Sequence, residues 1–156
     1  LNCERTATWF MWRFIGKINR IIEGHVIAKQ AKGFVHCVES CFDVSSFDLI
    51  HAHGMYTSPA GLIAQFLSQK YSKPYVLTVH GSDVNILMEK RKKIYLDLFE
   101  SAQAVIFVSK ALLEKARSFG YSGRNAVVIP NGYDPQVFKP LGKDQVRRQL
   151  YANAMN

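Results

Sequence analysis

No apolar run in this 156-residue chain reaches the roughly 18 residues that a membrane-spanning helix needs. No signal-peptide layout follows Leu1, and a first residue other than Met points to a processed product or an excerpt from a longer protein. Cysteine is scarce. Cys3, Cys37 and Cys41 are too few and too unevenly placed for a disulfide framework. Cys37 and Cys41, four apart and with His36 adjacent, suggest a metal site, but two packed thiols in a reducing cytosol are the favoured expectation. There is no biased or repeated tract. Acidic residues are also short, 12 against 20 Lys and Arg, giving a net charge of +8. That excess favours anionic partners: nucleic acid, phosphorylated ligands or an acidic membrane surface. No pattern of a reading helix, zinc finger or RNA-binding sheet accompanies it, so no nucleic-acid partner is expected.

What is present suffices for one domain with a real core: 48% of the residues are hydrophobic and 21% charged. Three regions are expected. Residues 1–46 read as a helical segment, 47–140 as an α/β domain, and 141–156 as a linker or the start of something further. In the first, Phe10, Met11, Phe14, Ile15, Ile18, Ile21 and Ile22 recur at helical spacing, with Arg13, Lys17 and Arg20 opposite. A second helical pattern runs through Ile27, Ala31, Phe34, Val38 and Cys41, weakened by Gly33.

After Ser46 short apolar runs alternate with helical stretches. The predicted strands are Phe47 to His53, Tyr75 to His80, Ala104 to Val108 and Ala126 to Pro130. The predicted helices are Ser58 to Tyr71, Asn85 to Ala102 and Ser109 to Phe119. Strands rich in Val and Ile, each followed by a helix, imply right-handed crossovers and a parallel sheet covered on both faces, a doubly wound Rossmann-like domain. Asn131-Gly132 reads as a turn, and Lys143 to Tyr151 begins another helix.

Ligands of open parallel sheets bind beyond the carboxyl ends of the strands. Here those ends are His51-Ala52-His53-Gly54, Thr78-Val79-His80-Gly81-Ser82-Asp83, Val108-Ser109-Lys110 and Pro130-Asn131-Gly132-Tyr133-Asp134. His51 and His53, two apart, point to one side of a strand; His51 fits a satisfied core histidine. Gly54 and Gly81 permit sharp turns and close ligand approach. A histidine at a strand end can donate to a sugar hydroxyl or a phosphate oxygen near neutral pH. Ser82 or Asp83 can cap the helix after His80, or its amides can meet an anion; Ser109 carries the same ambiguity.

The run from Phe47 to Pro140 resembles the N-terminal domain of the retaining GT-B glycosyltransferases called family four. The resemblance lies in Phe47-Asp48-Leu49-Ile50-His51-Ala52-His53-Gly54, Leu77-Thr78-Val79-His80-Gly81-Ser82-Asp83, Val105-Ile106-Phe107-Val108-Ser109, Val128-Ile129-Pro130-Asn131-Gly132-Tyr133-Asp134 and Phe138-Lys139-Pro140. It implies an enzyme of two facing Rossmann-like domains, the first holding the acceptor and the second the nucleotide sugar. His80 is then the catalytic residue, reaching the transferred sugar. His53, Gly54, Tyr56, Gly81, Asp83, Ser109, Asn131 and Gly132 contact substrate or line the cleft. No metal and no cofactor beyond the nucleotide-sugar co-substrate is implied. The acceptor is a glycan or a lipid-linked sugar, and the chain is expected to be the acceptor-side half, inactive alone. The family's glycine-rich loop after its first strand and its Glu-x7-Glu second domain have no counterpart here.

Many relatives work at the cytoplasmic face of a membrane, and the resemblance implies a cytoplasmic location with peripheral contact to anionic lipid. Trp9, Phe10, Trp12 and Phe14 among Arg13, Lys17 and Arg20 suit an interfacial helix, and Lys90-Arg91-Lys92-Lys93 adds a cationic cluster. Two rival readings remain. One is a metal-dependent hydrolase built on His51, His53, His80 and Asp83. The other is a truncated, non-catalytic module that docks on a membrane or a partner enzyme.

Overall fold

A computed structural model describes residues 23–55 and 59–154. The helix expected over Phe10 to Ile22, its aromatic and basic mixture, and Tyr56 lie outside the described residues.

The apolar period through Ile27 and Ala31 produces helix α1 over residues 23–41, which buries those two side chains. Gly33 is tolerated inside it, with nothing within 4 Å of where a Cβ would stand. Among the described residues, two ion pairs tie α1 to the rest of the chain. Glu39 accepts from Lys70 Nζ at 2.6 Å and from the Tyr71 hydroxyl at 3.1 Å, and Glu23 pairs with Arg91 at 2.7 Å. Cys37 and Cys41 are both exposed, contrary to the expectation of packed thiols, because α1 turns its Ile27 and Ala31 side inward and leaves them on the solvent side.

A 3-10 turn, Val44–Ser46, capped by the Asp43 carboxylate, leads to the sheet. The remaining elements are β1 (Ile50–His53), α2 (Ala60–Tyr71), β2 (Tyr75–Val79), α3 (Met88–Lys90), α4 (Lys92–Ser101), β3 (Ala104–Phe107), α5 (Lys110–Ser118), β4 (Ala126–Val128) and α6 (Lys143–Ala154). All neighbouring strands pair parallel, in the order β1-β2-β3-β4. Strand β1 is shorter than predicted. Pairing begins only where Ile50 donates to the Pro74 carbonyl, and Phe47 and Leu49 before it are exposed.

The helix expected over Asn85 to Ala102 is interrupted. Asp83–Leu87 winds as a π-helix, and at Arg91 the backbone leaves helical geometry before α4 resumes. π-turns are rare and often sit beside functional sites.

Strands added in sequence order by right-handed crossovers put every connecting helix on the same face. That face carries Ala52, Tyr75, Leu77, Val79, Val105 and Phe107, all buried, against Tyr95, Leu98 and Phe99 of α4. Phe99 meets Tyr95, Phe107 and Tyr121 edge-on, with centroids 5.6, 5.8 and 5.3 Å away. The opposite face carries His51, His53, Val76, Ile106 and Val127, and these stay outside the core. The parallel Rossmann-like sheet is as expected from the sequence, but among the described residues its helices α2, α4 and α5 flank one face rather than two.

Past β4 the chain is exposed from Ile129 to Asp144. Asn131-Gly132 is not the turn its sequence suggests. Neither residue takes a positive φ, and the reversal comes later, where Val137 and Phe138 donate to the Asp134 carbonyl.

Candidate functional site

Because all four strands run the same way, their carboxyl ends and the loops after them lie along one edge of the sheet. Alternation along β1 sends His51 and His53 to the open face, on either side of buried Ala52. Register then sets their neighbours: His53 stands opposite Thr78, and His51 opposite Val76. The His51 ring reaches diagonally, with Nε2 2.8 Å from the hydroxyl of Thr78. Its pKa is lowered, first by partial removal from water and second by the charge of His53.

The three imidazoles form a row. His51 and His53 have centroids 4.5 Å apart, and His53 and His80 stack at 6.0 Å with planes 23° apart. His51 is exposed rather than the core histidine expected, since the face it occupies has no covering helix among the described residues. His53 is exposed and His80 half-buried.

The turns behind these rings are held by a single side chain. Asp83 is 1% exposed. Its Oδ1 accepts from the backbone N–H of Met55 at 2.7 Å, across from the loop after β1, and its Oδ2 accepts from the N–H of His80 at 2.9 Å. The second contact is a carboxylate reaching back to the start of its own helix, where negative charge is favoured. Capping therefore accounts for the position of Asp83, whose two carboxylate oxygens each accept from a backbone amide. Gly54 runs at φ +67°, and a Cβ there would stand 3.3 Å from Asp83 Oδ2. A side chain would be strained by the backbone and would press on the carboxylate.

Gly81 opens the following helix and is half-buried, with a Cβ position 3.8 Å from the Asn85 amide nitrogen. Ser109 is the N-cap of α5, its hydroxyl accepting from Leu112 N at 3.3 Å, so the capping use is realised there as well. Asn131 and Gly132 are exposed, with nothing within 4 Å of the Gly132 Cβ position. His53, Gly54, His80 and Gly81 thus come together around Asp83, whereas Asn131 and Gly132 stand in the exposed segment beyond β4.

The metal-hydrolase reading needs His51, His53, His80 and Asp83 to converge. Among the described residues no group of three or more His, Cys, Asp or Glu side chains is arranged to hold a metal ion. Asp83 faces backbone amides, and His51 faces Thr78.

Thr78 and Tyr95 were not singled out from sequence. Thr78 is found by register once the strands are paired. Tyr95 is fully buried on α4, its hydroxyl has no partner in full hydrogen-bond geometry, and its pKa is pushed well above the ordinary tyrosine range, first by burial and then by the charge and acceptor oxygens of nearby Asp83.

What such an arrangement offers chemically is a small set of imidazole and backbone donors at the mouth of an α/β sheet. Those donors suit hydroxyl and phosphate oxygens rather than covalent attack. Comparison with known proteins gives the family. Residues 5–137 match the family model described as Glycosyltransferase Family 4. The glycosyltransferase TuaC of Bacillus subtilis, whose name places it in teichuronic acid biosynthesis, is 37% identical over 108 residues, 66% of this chain and 27% of that protein. A glycosyltransferase of Methanocaldococcus jannaschii, MJ1178, is 32% identical over 101 residues, 64% of this chain and 28% of that protein. A third, YqgM of Bacillus subtilis, is 39% identical over 100 residues, 54% of this chain and 24% of its own length. The chain spans about a quarter of the length of these relatives. With the family model covering most of its residues, the chain belongs to glycosyltransferase family 4.

Proposed function

We propose that the chain forms the acceptor side of a retaining GT-B glycosyltransferase, which moves a sugar from a nucleotide-sugar donor to a glycan or lipid-linked acceptor. The observation that carries this reading is the His53–His80 stack at the carboxyl ends of β1 and β2, in a family 4 chain. His80 orients the transferred sugar and supports charge as the diphosphate leaves. Such a departure needs positioning and electrostatic support more than a strong base. His53, Gly54, Gly81 and Ser109, with Tyr56, Asn131 and Gly132, border the acceptor. The nucleotide sugar is held mainly by a second domain, so the chain alone binds it weakly and does not turn over. The reaction uses no metal and no cofactor besides that donor, and nucleic acid is not a partner.

Peripheral contact with anionic lipid at the cytoplasmic face belongs to the same proposal, supported by the exposed Lys90, Lys92 and Lys93. No helix among the described residues is long and apolar enough to cross a membrane.

Amide NMR of the 15N-labelled chain tests the site. Titration with UDP-, GDP- and ADP-sugars, a panel of oligosaccharides and a short-chain prenyl phosphate is expected to move signals of His53, Gly54, His80 and Gly81. Shifts confined to other parts of the chain, or none at millimolar ligand, would sink the assignment.

A further inference from the structure

We propose that Asp83 is a positioning residue: one buried carboxylate locks the loop after β1 to the loop after β2 and so fixes the spacing of His53 and His80. The inference rests on the proposed function for its purpose, but not for its test. Strand pairing alone does not set that spacing. The β1–β2 ladder ends at His53 opposite Thr78, with one further bond from Gly54 N to the Thr78 carbonyl at 2.9 Å. Beyond it, Met55 and His80 belong to separate loops, and the Asp83 side chain bonds to both at 2.7 and 2.9 Å. Both are charge-assisted bonds to backbone amides, about twice as strong as neutral ones. The surroundings hold the carboxylate in place: the Gly54 backbone approaches it from one side, the fully buried Tyr95 lies near it, and its own backbone N–H donates to the His80 carbonyl at 3.2 Å.

The geometry needs a carboxylate. Asparagine has one acceptor oxygen and one donor nitrogen. In Asp83→Asn one of the two amides therefore faces an N–H group, and one loop has to let go. Glycine at position 54 is needed for the same reason. Gly54→Ala at φ +67° sets a methyl group 3.3 Å from Asp83 Oδ2 and presses the carboxylate away from its neighbours.

The test compares wild type, Asp83→Asn, Gly54→Ala and the double variant by NMR and thermal melting, on the chain without ligand. The expected result is a folded Asp83→Asn chain with unchanged methyl signals in Leu77 and Val105. Its Met55 or His80 amide proton moves upfield, and the His53–His80 ring contact weakens. Gly54→Ala is expected to shift the His80 amide as well, through the carboxylate it presses on. The double variant should then add little to either change.

A folded Asp83→Asn chain that keeps both amide signals and the ring contact would overturn the proposal. So would changes spread through the core, which mark general stabilisation rather than positioning. Should Asp83→Asn fail to fold, Gly54→Ala decides: a shift at Met55 with none at His80 refutes the link, and shifts at both sustain it. Ligand titration of the same samples separates this from the reading of the site. A wild-type chain that binds no sugar ligand counts against the proposed function and leaves the lock standing. If wild type binds, Asp83→Asn is expected to bind about tenfold more weakly, the loss of roughly one charged hydrogen bond.

Discussion

His51 Nε2 lies 2.8 Å from the hydroxyl of Thr78, a diagonal contact between β1 and β2 on the open face of the sheet. Partial desolvation there, then the charge of His53, lowers the His51 pKa from its ordinary 6.5. A lowered histidine value means that the unfolded chain takes up this proton first as pH falls. The stabilisation from neutral His51 is therefore complete above 6.5 and is lost as pH falls through the lower folded-state value. Urea unfolding of wild type and His51→Gln at several pH values between about 5 and 7 checks this. Wild type is expected to lose stability more steeply on acidification. Parallel curves would remove His51 from the account.

Asn125 makes a second prediction, away from the site. Its Nδ2 donates to the carbonyls of Phe99 at 2.8 Å and Ala102 at 2.7 Å, while Oδ1 accepts from the Tyr121 hydroxyl at 2.6 Å. It thus closes the carboxyl end of α4, where helical carbonyls lack partners, and anchors the approach to β4. Asn125→Ala is expected to cost about 2 kcal/mol by leaving these groups unpaired. Asn125→Asp is expected to cost more, since its carboxylate faces two carbonyl oxygens. Chemical denaturation of the three chains gives the order, and an Asp variant as stable as wild type would contradict it.

The strands and crossovers were legible because β2, β3 and β4 are runs rich in Val and Ile, and helical patterns follow β1, β2 and β3. Joint placement of His53, Gly54, His80 and Gly81 followed from the parallel sheet alone. Three features were not legible. Periodicity places Cys37 and Cys41 on a helix, but their exposure depends on which side α1 turns inward. Sequence order does not reveal that the helices share one face; that depends on all crossovers stepping in the same direction. In sequence Asp83 fits either a cap or a ligand contact. Its bond to Met55 spans 28 residues, so only the folded chain identifies it as the tie between two loops.

Gly61, near the start of α2, supports a third prediction. A Cβ there would lie 2.7 Å from Leu98 Cδ2, 3.1 Å from Met55 Sδ and 3.3 Å from Leu77 Cδ1. Helix propensity favours alanine over glycine by about 1 kcal/mol. Overpacking a core costs about 1–3 kcal/mol. Leu98 and Leu77 are fully buried and Met55 nearly so, which leaves them no free space to move into. Overpacking wins, and Gly61→Ala is expected to lower the melting temperature. A higher one would mean that α2 has room to shift away from α4.

Tyr95 gives the last prediction, and its sign is the opposite of the usual core substitution. The ring is fully buried and meets Phe99 edge-on at 5.6 Å, so its apolar body belongs in the core. The hydroxyl is buried with no partner in full hydrogen-bond geometry, and the nearby Asp83 carboxylate, by its charge and as an acceptor, opposes its ionisation. An unpaired buried hydroxyl costs about 1–3 kcal/mol by mutational measures. Tyr95→Phe keeps the ring, removes the oxygen and opens a space smaller than a methyl group. The variant is expected to be as stable as wild type or up to about 1 kcal/mol more so, since small voids return part of the gain. Urea denaturation measures the difference. A loss above about 1 kcal/mol would show that the hydroxyl bonds the Asp83 carboxylate in solution, making Tyr95 a third partner of that group.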